Sequence, residues 1–216
     1  FGQDVRSIDL IIVTHNHIDH VNDAGLLIEA TSDYEGKKKG RLVGSASVLL
    51  GDKKGDKGIS SYHLGRLKRA KVAQPGKRIT LEIRGKKAVL TPTKVKHEDE
   101  TGFGFVLQMD GKKVGYTSDT EYFKGISQQY AGCDVLIANS LKSEDDGIPG
   151  HLHSKTTIRL LSEARPKLAV LSHLGMRLLK TGPEAEAKKI EKASGVRTIS
   201  ATDGMRINVS SLKIRR

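Results

Sequence analysis

A chain of 216 residues with 37% hydrophobic residues is long enough for one substantial domain, and none of its apolar runs reaches the roughly 18–20 residues of a membrane-crossing helix. A single cysteine excludes an intramolecular disulfide and a thiolate metal cluster. The formal charge of +12 steers anionic partners to the surface, nucleic acid or small phosphorylated molecules among them, although abundant lysine also serves plain solubility.

The chain opens at Phe1 without a basic-then-apolar leader, which predicts a cytoplasmic protein. "IDLIIVT" (8–14) is β-branched and almost continuously apolar, the pattern of a strand buried on both faces. "DHVNDAGLLIEAT" (19–31) follows with Ala24, Leu27 and Ile28 at helical spacing, so the histidines between the two sit at a strand-to-helix junction. Residues 36–58 read as exposed glycine- and lysine-rich loops around a short strand, "LVGSASVLL"; Lys37, Lys38, Lys39, Lys53, Lys54 and Lys57 could bind phosphates there or form a solvated face. His63 is read as a loop residue.

Strands are predicted at 79–84, 87–92, 103–109 and 112–116, with "DGKK" (110–113) as the hairpin turn between the last two. Gly102 and Gly104 in "TGFGF" fit close packing of strand backbone. "CDVLIANS" (133–140) reads as a buried strand in which Cys133 is a small core residue. After an acidic loop, a helix is predicted at 154–164 with Ser154 as its cap, then a strand at 166–173 and a helix at 182–194 with proline in its first turn. Residues 197–211 are expected to close the chain as a hairpin around Asp203-Gly204. No repeat or linker divides the chain, so 1–216 is one domain of mixed α and β layers.

Five places share a histidine or aspartate at or just past a predicted strand: the cluster at 15–20, His97, Asp119, the His151/His153 pair and His173. Strand ends along one sheet edge bring their loops together, so these groups are expected to assemble one site. His15 and His17, two apart on extended backbone, project the same way and can share a cation; Asp19 and His20, beyond the turn, can reach a second. A lone histidine is more often a hydrogen-bonded core residue, but that reading would have to hold for all of them at once. Imidazole and carboxylate donors without thiolate suit zinc, with manganese or iron as alternatives, and two cations sharing a water lower its pKa and stabilise a charged transition state.

"THNHIDH" (14–20) resembles the His-x-His-x-Asp-His signature of the metallo-β-lactamase superfamily, and His97, Asp119 in "YTSDT" and His173 in "VLSHLG" follow in that superfamily's order. The resemblance implies an α+β fold, a four-layer αββα sandwich, with two divalent metal ions. His15, His17 and His97 would hold one ion and Asp19, His20 and His173 the other, with Asp119 bridging. It also implies strands ahead of the signature, so an N-terminal segment preceding Phe1 is expected.

"KHEDETGFGF", "GYTSDT" and "HLHSKTT" are similar to stretches of ribonuclease Z-like phosphodiesterases. That likeness implies a metal-dependent hydrolase, a dinuclear-zinc phosphodiesterase or nuclease using a metal-bridging hydroxide, with Asp19 and His153 as the chemical residues and RNA, DNA or a small phosphodiester as substrate. His153 would help protonate the leaving oxygen, and His151 is the second choice for that place. A homodimer is common among such proteins. Departures remain: only the stretch at 36–78 could stand for a tRNA-gripping arm, and it is short and irregular. Ester, lactone or thioester hydrolysis is the alternative within the fold, and a non-catalytic nucleic-acid-binding module with a structural metal is the alternative outside catalysis.

Overall fold

A computed structural model describes residues 4–32, 40–143 and 148–215. Lys37, Lys38, Lys39 and the acidic stretch 144–147 lie outside them. Among the described residues no helix is long and apolar enough to cross a membrane.

After a 3-10 turn at Val5–Ser7 come β1 (Ile11–Val13), α1 (Ile18–Val21), α2 (Ala24–Thr31), β2 (Arg41–Gly44), α3 (Ala46–Leu49), α4 (Ser61–Arg66) and β3 (Arg69–Val72). The middle of the chain forms β4 (Ile79–Ile83), β5 (Lys86–Thr93), β6 (Gly104–Met109), β7 (Lys112–Tyr116), α5 (Ile126–Gln129) and β8 (Val135–Lys142). Then follow β9 (Leu152–His153), α6 (Ser154–Ala164), β10 (Leu168–Ser172), α7 (Met176–Thr181), α8 (Pro183–Ser194), β11 (Thr198–Ser200), β12 (Arg206–Asn208) and β13 (Lys213–Arg215).

The strands make a parallel sheet β1-β2-β3 and a mixed sheet β11-β10-β8-β7-β6-β5-β4, with β9 added beside β8. Three apolar clusters stack the layers. Ile28, Leu64 and Leu67 pack the first helices on the outer face of the small sheet through Leu42 and Ile11. Ile12 and Val43 of the small sheet meet Ile79, Leu90 and Phe105 of the large one. Leu160, Leu161 and Ile190 of α6 and α8 cover its far face over Leu136 and Leu171. This is the expected αββα order. The small sheet does not reach β8 and β10, whose inner face, Val135, Leu168 and Val170, is covered instead by Ile207 and Leu212 of the C-terminal hairpin.

Local chemistry explains where the elements begin and end. Asp110 and Gly111 both adopt positive φ, 49° and 73°, the tight turn expected between β6 and β7. The strand predicted through Leu50 stops at Gly44, because the Ser45 side chain accepts from Val48 N and starts α3. The helix predicted over 19–31 is interrupted at Asn22-Asp23. His153, not Ser154, is the N-cap residue of α6; Ser154 is buried and donates to Glu186 Oε1 at 2.5 Å, tying α6 to α8. The closing hairpin is also displaced. β11 pairs in parallel with β10, Asp203-Gly204 only turns the chain out of the sheet, and the hairpin is β12-β13. Its turn is set by Asn208, whose Oδ1 accepts from Ser210 N and Ser211 N.

Candidate metal centre

Five of the predicted donors follow a strand that the two sheets hold fixed, and Asp19 and His20 lie in α1. His15 and His17 lie just past β1, His97 past β5, Asp119 past β7 and His173 past β10. The parallel pairing of β7, β8 and β10 sets Asp119, Asn139 and His173 on one rim. Phe103 N donates to Thr14 O and brings the signature loop of the small sheet against the large one.

The donor atoms converge. Within 4.8 Å of one another lie ring nitrogens of His15, His17 and His97, and separately one donor each of Asp19, His20 and His173. His97 Nε2 is 3.1 Å from His17 Nδ1, and His173 Nε2 is 3.0 Å from Asp19 Oδ2. Asp119 Oδ2 stands between the groups, 3.2 Å from His20 Nε2, 3.4 Å from His173 Nε2 and 3.8 Å from His15 Nε2. All seven residues expected as ligands are therefore brought together.

A sixth ring joins the five of the expected ligands. His151 Nε2 is 3.4 Å from Asp119 Oδ2, and its ring packs edge-on against His97. His153 belongs to no donor group among the described residues; its backbone is locked to Thr156 at the start of α6. His63 also belongs to no donor group among the described residues; it lies in α4, where it faces Glu29 and packs on Gly25.

The surroundings are organised for cations. His15 is buried; its Nδ1 faces Thr14 Oγ1 at 3.3 Å, while its Nε2, turned to the cluster, has no hydrogen-bond partner among the described residues. A buried nitrogen without a partner is costly, and a cation there would satisfy it. Burial first, then the neighbouring imidazoles, pushes the His15 pKa down to about 3, so this ring is neutral and ready to ligate near pH 7. His97 is likewise lowered, chiefly by burial, and its Nδ1 donates to Gly150 O at 3.0 Å, which leaves Nε2 for the cluster. Burial alone would raise the Asp119 carboxyl, but hydrogen bonds from His151, His20 and Asn139 and the His173 charge hold it well below the carboxylate range. The donor set thus fits divalent cations of the zinc type.

Sequence reasoning did not single out the supporting groups. Asn139 Nδ2 donates to Asp119 Oδ1 at 2.6 Å and contacts Tyr116 Oη at 3.0 Å, so Oδ1 is occupied and Oδ2 faces the imidazoles. Asp99 accepts from Asn16 N, Ser47 Oγ, Thr101 N and Thr101 Oγ1 and so fixes the backbone between His15 and His17. Its position two residues after His97, in "HED", was the available signal. Ser118 and His173 hold positive φ of 56° and 53°, a local strain of about 1 kcal/mol or more each that the rigid strand ends support. A cavity of about 440 Å³ opens beside His17, bordered by Lys53 and Lys54 as well as Glu98 and Glu100.

Comparison with known proteins agrees with this geometry. The family model of the beta-lactamase superfamily domain matches residues 2–174. The chain belongs to the beta-lactamase superfamily. A superfamily relative, an uncharacterised protein of Methanocaldococcus jannaschii, is 32% identical over 95% of this chain and 76% of its own length. A protein of Polynucleobacter asymbioticus named as a metal-dependent hydrolase is 24% identical over 93% of this chain and 70% of its own length. Among solved structures, the metallo-beta-lactamase fold protein YhfI from Bacillus subtilis has a TM-score of 0.71 at 21% identity, covering 93% of this chain and 77% of that one. The short form of human tRNase Z has a TM-score of 0.63 at 15% identity, covering 100% of this chain and 81% of that one.

Proposed function

We propose that this metal-dependent hydrolase of the beta-lactamase superfamily is a dinuclear-zinc phosphodiesterase acting on RNA, DNA or a small nucleotide-like phosphodiester. The observation that carries the reading is His151: an imidazole in excess of the seven donors, 3.4 Å from the bridging Asp119 carboxylate and reaching the same cluster. Cleaving a phosphodiester leaves an alkoxide, which needs a proton at the moment it departs.

Divalent ions at the two donor groups would supply Lewis acidity to the phosphoryl oxygens and an acidified water. The protein's own residues do the rest. His15, His17 and His97 define one pole, Asp19, His20 and His173 the other, and Asn139 orients the Asp119 carboxylate between them. Water releases one proton to solvent as its oxygen bonds to phosphorus, the bond from phosphorus to the leaving oxygen breaks, and His151 passes its proton to that oxygen and regains one from solvent. His153, at the start of α6, is the alternative donor; its place outside the donor groups favours His151. Lys53 and Lys54 border the cleft at His17, but Asp52, Glu98, Asp99 and Glu100 line it as well and Lys53 pairs with Glu100 at 2.9 Å, so this cleft has no net positive charge to offer a second phosphate. The fold is shared with tRNase Z, which supports the reading at the level of architecture alone.

The test is a substrate panel on metal-reconstituted protein: an aryl phosphodiester, a short RNA and an aryl acetate. Phosphodiester turnover that falls by at least about a hundredfold in Asp119→Ala is expected. Turnover of the acetate alone would move the function to carbonyl esters, and nucleic-acid binding unchanged in a folded, inactive protein would indicate a binder.

A further inference from the structure

A second cavity, of about 510 Å³, lies at the N-terminal ends of β2 and β3, the opposite end of the small sheet from the signature histidines. Its volume falls in the range of small-ligand pockets. Four cations line it, Arg41, Arg69, Lys71 and Lys87, against one carboxylate, Glu82. Leu10, Val43, Ile79 and Leu81 give it an apolar floor.

Strand register makes the placement unusual. Ile12 pairs with Val43 and Val43 with Lys71, while Arg41 pairs with Arg69. Because side chains alternate, Arg41, Arg69 and Lys71 share the face of Ile12 and Val43, the face that packs against the large sheet. Where the small sheet should continue its apolar contact, it presents charge. Neighbouring strands are about 4.8 Å apart and alternate residues about 7 Å along, so the three Cα positions fall within the span of one nucleotide.

Three of the four cations are not consumed internally. Arg41 donates to Asp9 O at 3.2 Å and to Glu82 O, bracing the two sheets through carbonyls rather than carboxylates. Arg69, Lys71 and Lys87 form no ion pair among the described residues. Lysine on an edge strand such as β3 also discourages strand addition, but that does not account for Arg41 on the central strand or for the cavity.

We propose that this cavity binds a small organophosphate of the nucleotide class, with its phosphates on Arg69, Lys71 and Lys87 and its base on Leu10, Val43, Ile79 and Leu81. Guanidinium and ammonium groups give charge-assisted bonds to phosphate, and the aliphatic floor takes a flat ring. The site is separate from the metal chemistry and does not depend on the reading of it.

The test is calorimetric titration of ADP into the metal-reconstituted chain and into Arg69→Ala/Lys71→Ala. Both side chains are exposed, so the double variant is expected to keep the fold and the metal content. Saturable binding that weakens about tenfold or more in the variant is the predicted result. Unchanged affinity in the variant would place ADP elsewhere, at the metals, and overturn the proposal, as would the absence of saturable binding. Pyrophosphate binding as tightly as ADP would contradict the apolar floor's role. An oligonucleotide binding with steep salt dependence where ADP does not would replace the site with a polymer-binding surface.

Discussion

Asp99 shows how much of a metal site lies behind its ligands. One carboxylate holds Asn16 N, Ser47 Oγ and both polar groups of Thr101, so it ties the loop between His15 and His17 to α3 and to the segment after His97. Burial alone would raise its pKa, but those hydrogen bonds, that of Ser47 foremost, hold it below the carboxylate range, so it is charged at neutral pH. Asp99→Asn keeps the shape and removes the charge. It is predicted to weaken metal retention by about 10- to 100-fold, measured by competition with a chromophoric chelator, while Asp99→Glu recovers part of the loss. Metal affinity equal to the parent protein would show that the network serves only the loop. Cys133 behaves differently: buried at the entry to β8, its thiol is pushed up by burial to about 11 from an ordinary 9.0. The unfolded thiol ionises from about pH 9 while the folded one stays neutral, so the stability it contributes below that pH is lost as pH rises towards 11. The native protein is therefore expected to resist thiol alkylation at pH 8 and to react fully in denaturant; fast native labelling would refute the buried placement.

At the scale of elements, Gly104 begins β6 where three other segments of the chain meet it. A Cβ there would strike Tyr130 Oη, Thr117 O and Thr93 Oγ1, two of which hydrogen-bond each other at 2.8 Å. Gly104→Ala is predicted to cost about 1–3 kcal/mol in urea unfolding, with an unchanged m-value. No measurable loss would mean the β6-β7 entrance yields easily. The ligand-bearing strand ends were legible in the sequence because an apolar run followed by a histidine or aspartate is a local signal, and it recurs at His15, His97, Asp119 and His173. The supporting groups were not. Asn139 looks like any polar residue at a strand end until β8 lies beside β7, and the choice between His151 and His153, both noted in the sequence, turns on His151 preceding β9 while His153 ends it at the start of α6. The short helix α4 and the strand β3 escaped notice because exposed "RAKV" has neither alternation nor a buried run. The closing hairpin was misplaced because Asp203-Gly204 is a sound turn signal whose partner strand is set by tertiary pairing with β10.

For the whole molecule, two sheets of opposite character meet at one rim. The parallel small sheet delivers His15 and His17, and the mixed sheet delivers Asp119 and His173, so the site exists only when the sandwich is closed. Binding of cations is then linked to folding, because the unfolded chain has no such geometry. The chain as a whole carries a formal charge of +12, which draws phosphates towards its surface at long range. The decisive measurement is an anomalous difference map at the zinc edge from crystals of zinc-reconstituted protein. Two peaks are predicted, one ringed by His15, His17 and His97 and one by Asp19, His20 and His173, with Asp119 between them. A map with no peak at these residues, or with zinc bound only elsewhere, would contradict the account.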